Sequence, residues 1–177
     1  MQEQQVILVN ESDHPGGVAG KMEAHRNGLL HRAFSVFIFN SKGEMLLQQR
    51  ALDKYHSGGL WTNACCSHPA PGETTADAAK RRLMDEMGVE TELEHIGEIV
   101  YNISLDNGLS EHEYDHLYAG QFEGNVRINK NEVMDYTFED MNKLRDSLKT
   151  EPGKFTAWFH LAFPKLEDWW MQNYKNR

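Results

Sequence analysis

The first strong pattern along the chain is a set of short apolar runs. Residues 5–9 (QVILV) and 33–40 (AFSVFIFN) are dominated by β-branched, aliphatic and aromatic side chains, which suit a half-buried strand. Ser41-Lys42-Gly43 supplies turn residues and 44–50 (EMLLQQR) resumes the apolar pattern, so a β-hairpin is predicted here. Further strands are expected at 92–101 and 112–123, with the Asp106-Asn107-Gly108 turn between them. The period changes over 75–87, where Ala79, Leu83 and Met87 fall four apart on one helical stripe. Thr74 or Thr75 offers an N-cap oxygen and Gly88 a stop. Helices are also predicted over 138–149, through Met141, Leu144 and Leu148, and over 164–174, with Pro164 in the first turn. This order of elements predicts an α+β fold, a central sheet with helices packed against it.

Length and charge narrow the partners. At roughly 150 residues per domain, 177 residues predict one domain over 1–177, and no repeat or low-complexity linker divides it. The net charge of −9 repels polyanions, so neither nucleic acid nor an anionic membrane surface is an expected partner. An anionic ligand would then need local cations or bound metal. Cys65 and Cys66 are adjacent, too close for an ordinary disulfide, and a cytoplasmic location follows as the expectation. The N-terminal residues lack a signal-peptide pattern, and no apolar run approaches the ~20 residues of a membrane span. Nothing in the pattern chooses between monomer and homodimer.

The most specific stretch runs from Ser67-His68-Pro69 to Gly88-Val89. Glu73, Arg81, Leu83, Glu86, Gly88 and Val89 stand in register with the Nudix box, which the stretch resembles. Ser67 replaces that motif's first glycine, and Arg82 and Asp85 replace two glutamates. The resemblance implies a Nudix-like fold with a mixed central β-sheet. Nudix hydrolases hold divalent cations on those helix carboxylates, so a guanidinium at 82 should cripple the metal cluster while leaving Glu86 able to hold one Mg²⁺.

Just before this box stands Trp61-Thr62-Asn63-Ala64-Cys65-Cys66-Ser67-His68-Pro69, which resembles the active-site motif of the type 1, metal-dependent isopentenyl-diphosphate delta-isomerases. Matches continue at Glu111-His112-Glu113, with Tyr101 ten residues before Glu111, at Lys21, His25 and His31, and at Arg50 and Lys54. The resemblance implies that Cys66 and Glu113 exchange protons with an alkene from opposite faces, with Tyr101 beside Glu113. It implies a small-molecule diphosphate substrate bound by Lys21, Arg50, Lys54 and Arg82, with Mg²⁺ at Glu86 and Trp158 facing a developing carbocation. Trp61 is the second candidate for that face, and core packing is nearly as good an account of Trp158.

The residues themselves support a metal site. His25, His31, His68, Glu111 and Glu113 are nitrogen and oxygen donors suited to Zn²⁺ or Mn²⁺. Two-residue spacing on a strand puts Glu111 and Glu113 on one face. Arg26-Asn27-Gly28 reads as a flexible stretch between His25 and His31. Cys65 suits a buried apolar role, whereas cations near Cys66 should lower its pKa. Two other functions compete: a Nudix pyrophosphohydrolase of a nucleoside diphosphate derivative, disfavoured by Arg82 and Asp85, and a catalytically silent metal-binding module.

Overall fold

In the computed structural model, which describes residues 3–174, the strand β3 (His31–Phe39) is the spine of a nine-stranded sheet. Before it come β1 (Gln5–Val9), β2 (Pro15–Gly20) and a short helix α1 (Lys21–Asn27). After it come β4 (Met45–Arg50), β5 (Trp61–Thr62), β6 (Cys65–Ser67), α2 (Thr75–Met87), β7 (Leu93–Ser104), β8 (Ser110–Gln121) and β9 (Val133–Glu139). Helices α3 (Met141–Thr150) and α4 (Ala157–Asn173) close the chain. One edge of β3 pairs in parallel with β8 along its whole length, from His31↔Glu113 to Phe39↔Gln121. The other edge is divided, since β6 takes Phe34 to Val36 and β1 takes His31. The predicted β3–β4 hairpin exists, but its strands stay paired only at Phe39↔Met45 before β4 turns away to β9 and β5. That divergence opens the sheet beside β6.

The two-residue alternation of β3 sorts its side chains into two cores. Phe34, Val36 and Ile38 pack under α2, against Ala79, Leu83 and Met87, as the helical stripe predicts. Phe37 and Phe39 face the other way, with Leu117 and Ala119 of β8, into a core roofed by α3 and α4 through Leu144, Phe159, Phe163 and Leu166. The positions earlier on that second face are His31 and Ser35 of β3 and Glu111, Glu113 and Asp115 of β8, all buried. One sheet face thus passes from hydrocarbon to a cluster of ionisable groups.

Most predicted elements are present, and α2 has the expected caps: Thr74 Oγ1 accepts from the Asp77 amide and Gly88 is left-handed. Three expectations are corrected. Residues 26–28 are the end of α1, whose left-handed C-cap is Gly28, so His25 sits on an ordered helix. Residues 133–139 form β9, and α3 begins at Met141 because Asp140 caps the Asn142 and Lys143 amides. Helix α4 begins at Ala157, seven residues before the predicted start, with Pro164 inside it. The missing proline N–H leaves the His160 carbonyl without its usual partner, a cost borne by a helix that buries Phe159, Phe163 and Leu166. Among the described residues no helix is long and apolar enough to cross a membrane.

Candidate active site

The polar end of the sheet face collects side chains from four segments. Helix α1 contributes His25, β3 His31, the residue after β6 His68, and β8 Glu113, and one donor atom from each lies within 4.8 Å of all the others. Burial holds His25 and His68 below the usual imidazole range, His68 at about 3, so both rings are neutral at pH 7. The Nδ1–H groups of His25 and His31 donate to the Lys21 and Leu29 carbonyls at 2.7 Å each, which leaves the neutral His25 ring with its Nε2 as a lone pair.

The donor set fits a divalent ion. Ligand atoms ~2.1 Å from one ion lie roughly 3.0–3.4 Å from their neighbours in tetrahedral or octahedral shells. The separations here are 3.2 Å from His31 Nε2 to His68 Nε2, 3.4 Å from His31 Nε2 to Glu113 Oε1 and 2.9 Å from His68 Nε2 to Glu113 Oε1. His25 Nε2 is buried with no hydrogen-bond partner, a state that coordination would relieve. Glu111 does not complete this group. It belongs to a second one, with His25 and His56, a residue with no motif to mark it in the sequence.

Glu113 is also bound from the other side, by the Tyr101 hydroxyl. Burial alone would raise its pKa, but the hydrogen bonds of His31 and His68 hold it well below the usual range. Glu111 behaves oppositely: burial, then the charge of Glu113, pushes it well up.

Cys66 opens onto the same cavity as Glu113 and Tyr101. Its thiol donates to Asn63 Oδ1 at 3.1 Å, and Ser35 Oγ lies 3.4 Å away. Asn63 cannot flip, because its Nδ2 donates to the Val36 and Cys65 carbonyls at 3.0 Å each. The expected lowering of the Cys66 pKa is corrected: burial, then the nearby Asp115, pushes the thiol up, so it is neutral. Cys65 is fully buried in the core under α2, as expected.

At the other end of the cavity stand Lys21, Arg50, Lys54 and Arg82, with Glu86 and Glu132. Glu86 is not free, since Arg82 Nη2 lies 2.6 Å from its Oε1 and Gln48 Nε2 3.0 Å from its Oε2. Lys54 pairs with Glu132, which also lies 3.6 Å from Arg82. Burial, then the charges of Lys54 and Arg82, lowers Lys21 to about 8. Trp158 lines the cavity with the Arg50 guanidinium carbon 5.2 Å from its ring centre. Trp61 instead backs the core under α3 and α4. Sequence reasoning missed Tyr55, His56 and Glu132 on this wall. It also missed Asp115, although continuing the two-residue period of Glu111 and Glu113 leads to it.

The NUDIX domain model matches residues 29–159. The isopentenyl-diphosphate delta-isomerase of Pectobacterium atrosepticum is 50% identical over 94% of this chain and 93% of its own. That of Burkholderia multivorans is 47% identical over 94% and 98%. The chain belongs to the isopentenyl-diphosphate delta-isomerase family, within the Nudix fold. Two solved structures match in fold alone: DR0079 from Deinococcus radiodurans, with TM-score 0.68 at 17% identity over 84% of this chain and 90% of that one, and a MutT protein from Methanosarcina mazei, with TM-score 0.65 at 20% identity over 78% and 94%. Family membership thus singles out the isomerase reading over the hydrolase one, and Arg82 on α2 is the local reason.

Proposed function

We propose that this protein interconverts isopentenyl diphosphate and dimethylallyl diphosphate through Cys66 and Glu113. The observation that carries the reading is that a neutral thiol and a hydrogen-bonded carboxylate open onto one buried cavity whose far end is cationic. The reaction adds a proton to one alkene carbon and removes one from another. Because an alkene is a feeble base, the donor must be placed tightly and water kept out. Burial provides the exclusion. Tyr101 orients Glu113 on one side, and Asn63 aims the Cys66 S–H on the other.

A divalent ion held by His25, His31, His68 and Glu113, Zn²⁺ or Mn²⁺ by donor type, would polarise the Glu113 carboxyl and strengthen it as an acid. Lys21, Arg50, Lys54 and Arg82 bind the diphosphate and keep it as a handle. Glu86 oxygens retain lone pairs beyond those used by Arg82 and Gln48, enough for the small protein share of a Mg²⁺ shell otherwise filled by water and phosphate oxygens. Trp158 offers a π face, already beside the Arg50 cation, to positive charge developing on the hydrocarbon. A cytoplasmic site of action accords with the free cysteines.

The discriminating assay incubates metal-supplemented protein separately with isopentenyl diphosphate and with nucleoside diphosphate derivatives. Allylic isomer without phosphate release supports the reading. Phosphate release without isomer contradicts it.

A further inference from the structure

Ser35 sits between Cys66 and Asp115 on the polar face of the sheet. The antiparallel register of β3 and β6 sets it directly opposite Cys66, and β8 runs along the other edge of β3 with Asp115. Its hydroxyl donates to Asp115 Oδ2 at 2.7 Å and lies 3.4 Å from Cys66 Sγ. The Cys66 thiol gives its own proton to Asn63 Oδ1, 3.1 Å away. A serine hydroxyl and a thiol carry one proton each, so with both engaged elsewhere the contact between Ser35 and the sulfur holds none.

The Asn63 oxygen is an acceptor only. It also accepts from Thr62 Oγ1 at 2.9 Å, itself bonded by Thr156 Oγ1 at 2.9 Å, and the Asn63 Nδ2 is tied to the Val36 and Cys65 carbonyls. Proton exchange with an alkene breaks the S–H bond, moves its proton to a substrate carbon and leaves the electron pair on sulfur. That pair then faces the lone pairs of a fixed carbonyl oxygen. Of the two side chains bonded to the sulfur among the described residues, Ser35 is the one with a proton to turn toward it.

We infer that Ser35 is a positioning residue for the proton exchange: its hydroxyl turns from Asp115 to Cys66 Sγ when the sulfur is without its proton and turns back when the thiol re-forms. This role presupposes the assignment of Cys66 proposed above. No bond of Ser35 is made or broken, since its O–H only rotates about Cβ–Oγ. In either direction of isomerisation the sulfur passes one stage without a proton, so the hydroxyl serves both. Ser35 is 2% exposed, whereas Cys66 opens onto the cavity, so Ser35 acts on the chemical step through the sulfur and not on binding of the diphosphate.

The test is steady-state kinetics of metal-supplemented Ser35→Ala, with pyrophosphate affinity and urea unfolding measured alongside. A fall in kcat of at least about tenfold is expected, the size of a lost hydrogen bond to a charged group, with KM and pyrophosphate affinity unchanged. If Ser35 merely pairs the buried Asp115 carboxyl, the double variant Ser35→Ala/Asp115→Val removes both partners and should recover kcat together with stability. The inference expects kcat of that double variant to stay about tenfold down in protein that binds pyrophosphate as the wild type does. Wild-type kcat in either variant overturns it, and the double variant carries the comparison if Ser35→Ala does not fold. Cys66→Ala, assayed in parallel, separates the two failures. If it turns over like the wild type, the Cys66 assignment falls and this inference with it; if it is inactive while Ser35→Ala is unimpaired, this inference alone falls.

Discussion

The Arg82 guanidinium lies 2.6 Å from the Glu86 carboxylate, one turn apart on the helix that carries the Nudix box. The same guanidinium lies 3.6 Å from Glu132. Arg82 thus offsets one of the two carboxylates on the cavity wall and Lys54 pairs with the other, leaving Lys21 and Arg50 to set the sign of the diphosphate end. Removing Arg82 should reverse that balance. Arg82→Glu is expected to raise KM for isopentenyl diphosphate ten- to hundredfold, from loss of charge-assisted bonds worth about 1.5–3 kcal/mol. Steady-state kinetics check this, and an unchanged KM and kcat would refute the assignment.

Substrate affinity should also depend on pH through Lys21. Its pKa is lowered to about 8, so it is charged below that pH and neutral above. Binding of a diphosphate is expected to weaken as pH rises through 8, and Lys21→Met should flatten that limb. Calorimetric titration with inorganic pyrophosphate on either side of pH 8 makes the comparison.

Metal removal should leave a protein sensitive to acid. His68 has a folded pKa of about 3, below its ordinary 6.5, so the unfolded chain binds the proton first. The stability associated with the neutral ring is full above 6.5 and is lost as pH falls from there toward 3. Chelator-treated protein should therefore melt progressively lower over that range, with a smaller decline in His68→Gln. At a hundredfold excess over Kd, a bound ion should restore about 2.7 kcal/mol. Thermal melts with and without Zn²⁺ read both effects.

Asn63 tests the aim of the thiol. Asn63→Ala leaves the Val36 and Cys65 carbonyls and the Cys66 S–H without their partner. Unfolding in urea is expected to show a loss of about 1–3 kcal/mol. A fall in kcat exceeding any change in KM would separate thiol positioning from general loosening.

How much of this was legible in the sequence depended on the range of the determining interaction. Helix α2 could be read closely because its stripe, N-cap and glycine stop are local. The three-glycine strand β2 (PGGVAG) carries no apolar pattern and exists through its pairing with β1, while α1 is too short to show a period. Pro164 suggested a helix start, but burial of Phe159 and Phe163 carries α4 through it. His25, His31, His68 and Glu113 could be named from motif resemblance, and the fold brings them together. His56 and Glu132 lie in loops with no periodicity, and only the folded backbone carries them to the cavity. The Cys66 pKa was misjudged because nearby cations could be read from the chain, whereas desolvation beside Asp115 could not.

The most direct test of the central claim follows deuterium in D₂O through Cys66→Ala, Glu113→Gln and the wild type. The wild type, supplied with metal, should place deuterium in both isoprenoid diphosphates, and each variant should abolish incorporation while still folding and binding pyrophosphate. Wild-type levels of deuterium in either variant would contradict the pairing of thiol and carboxylate as proton donor and acceptor.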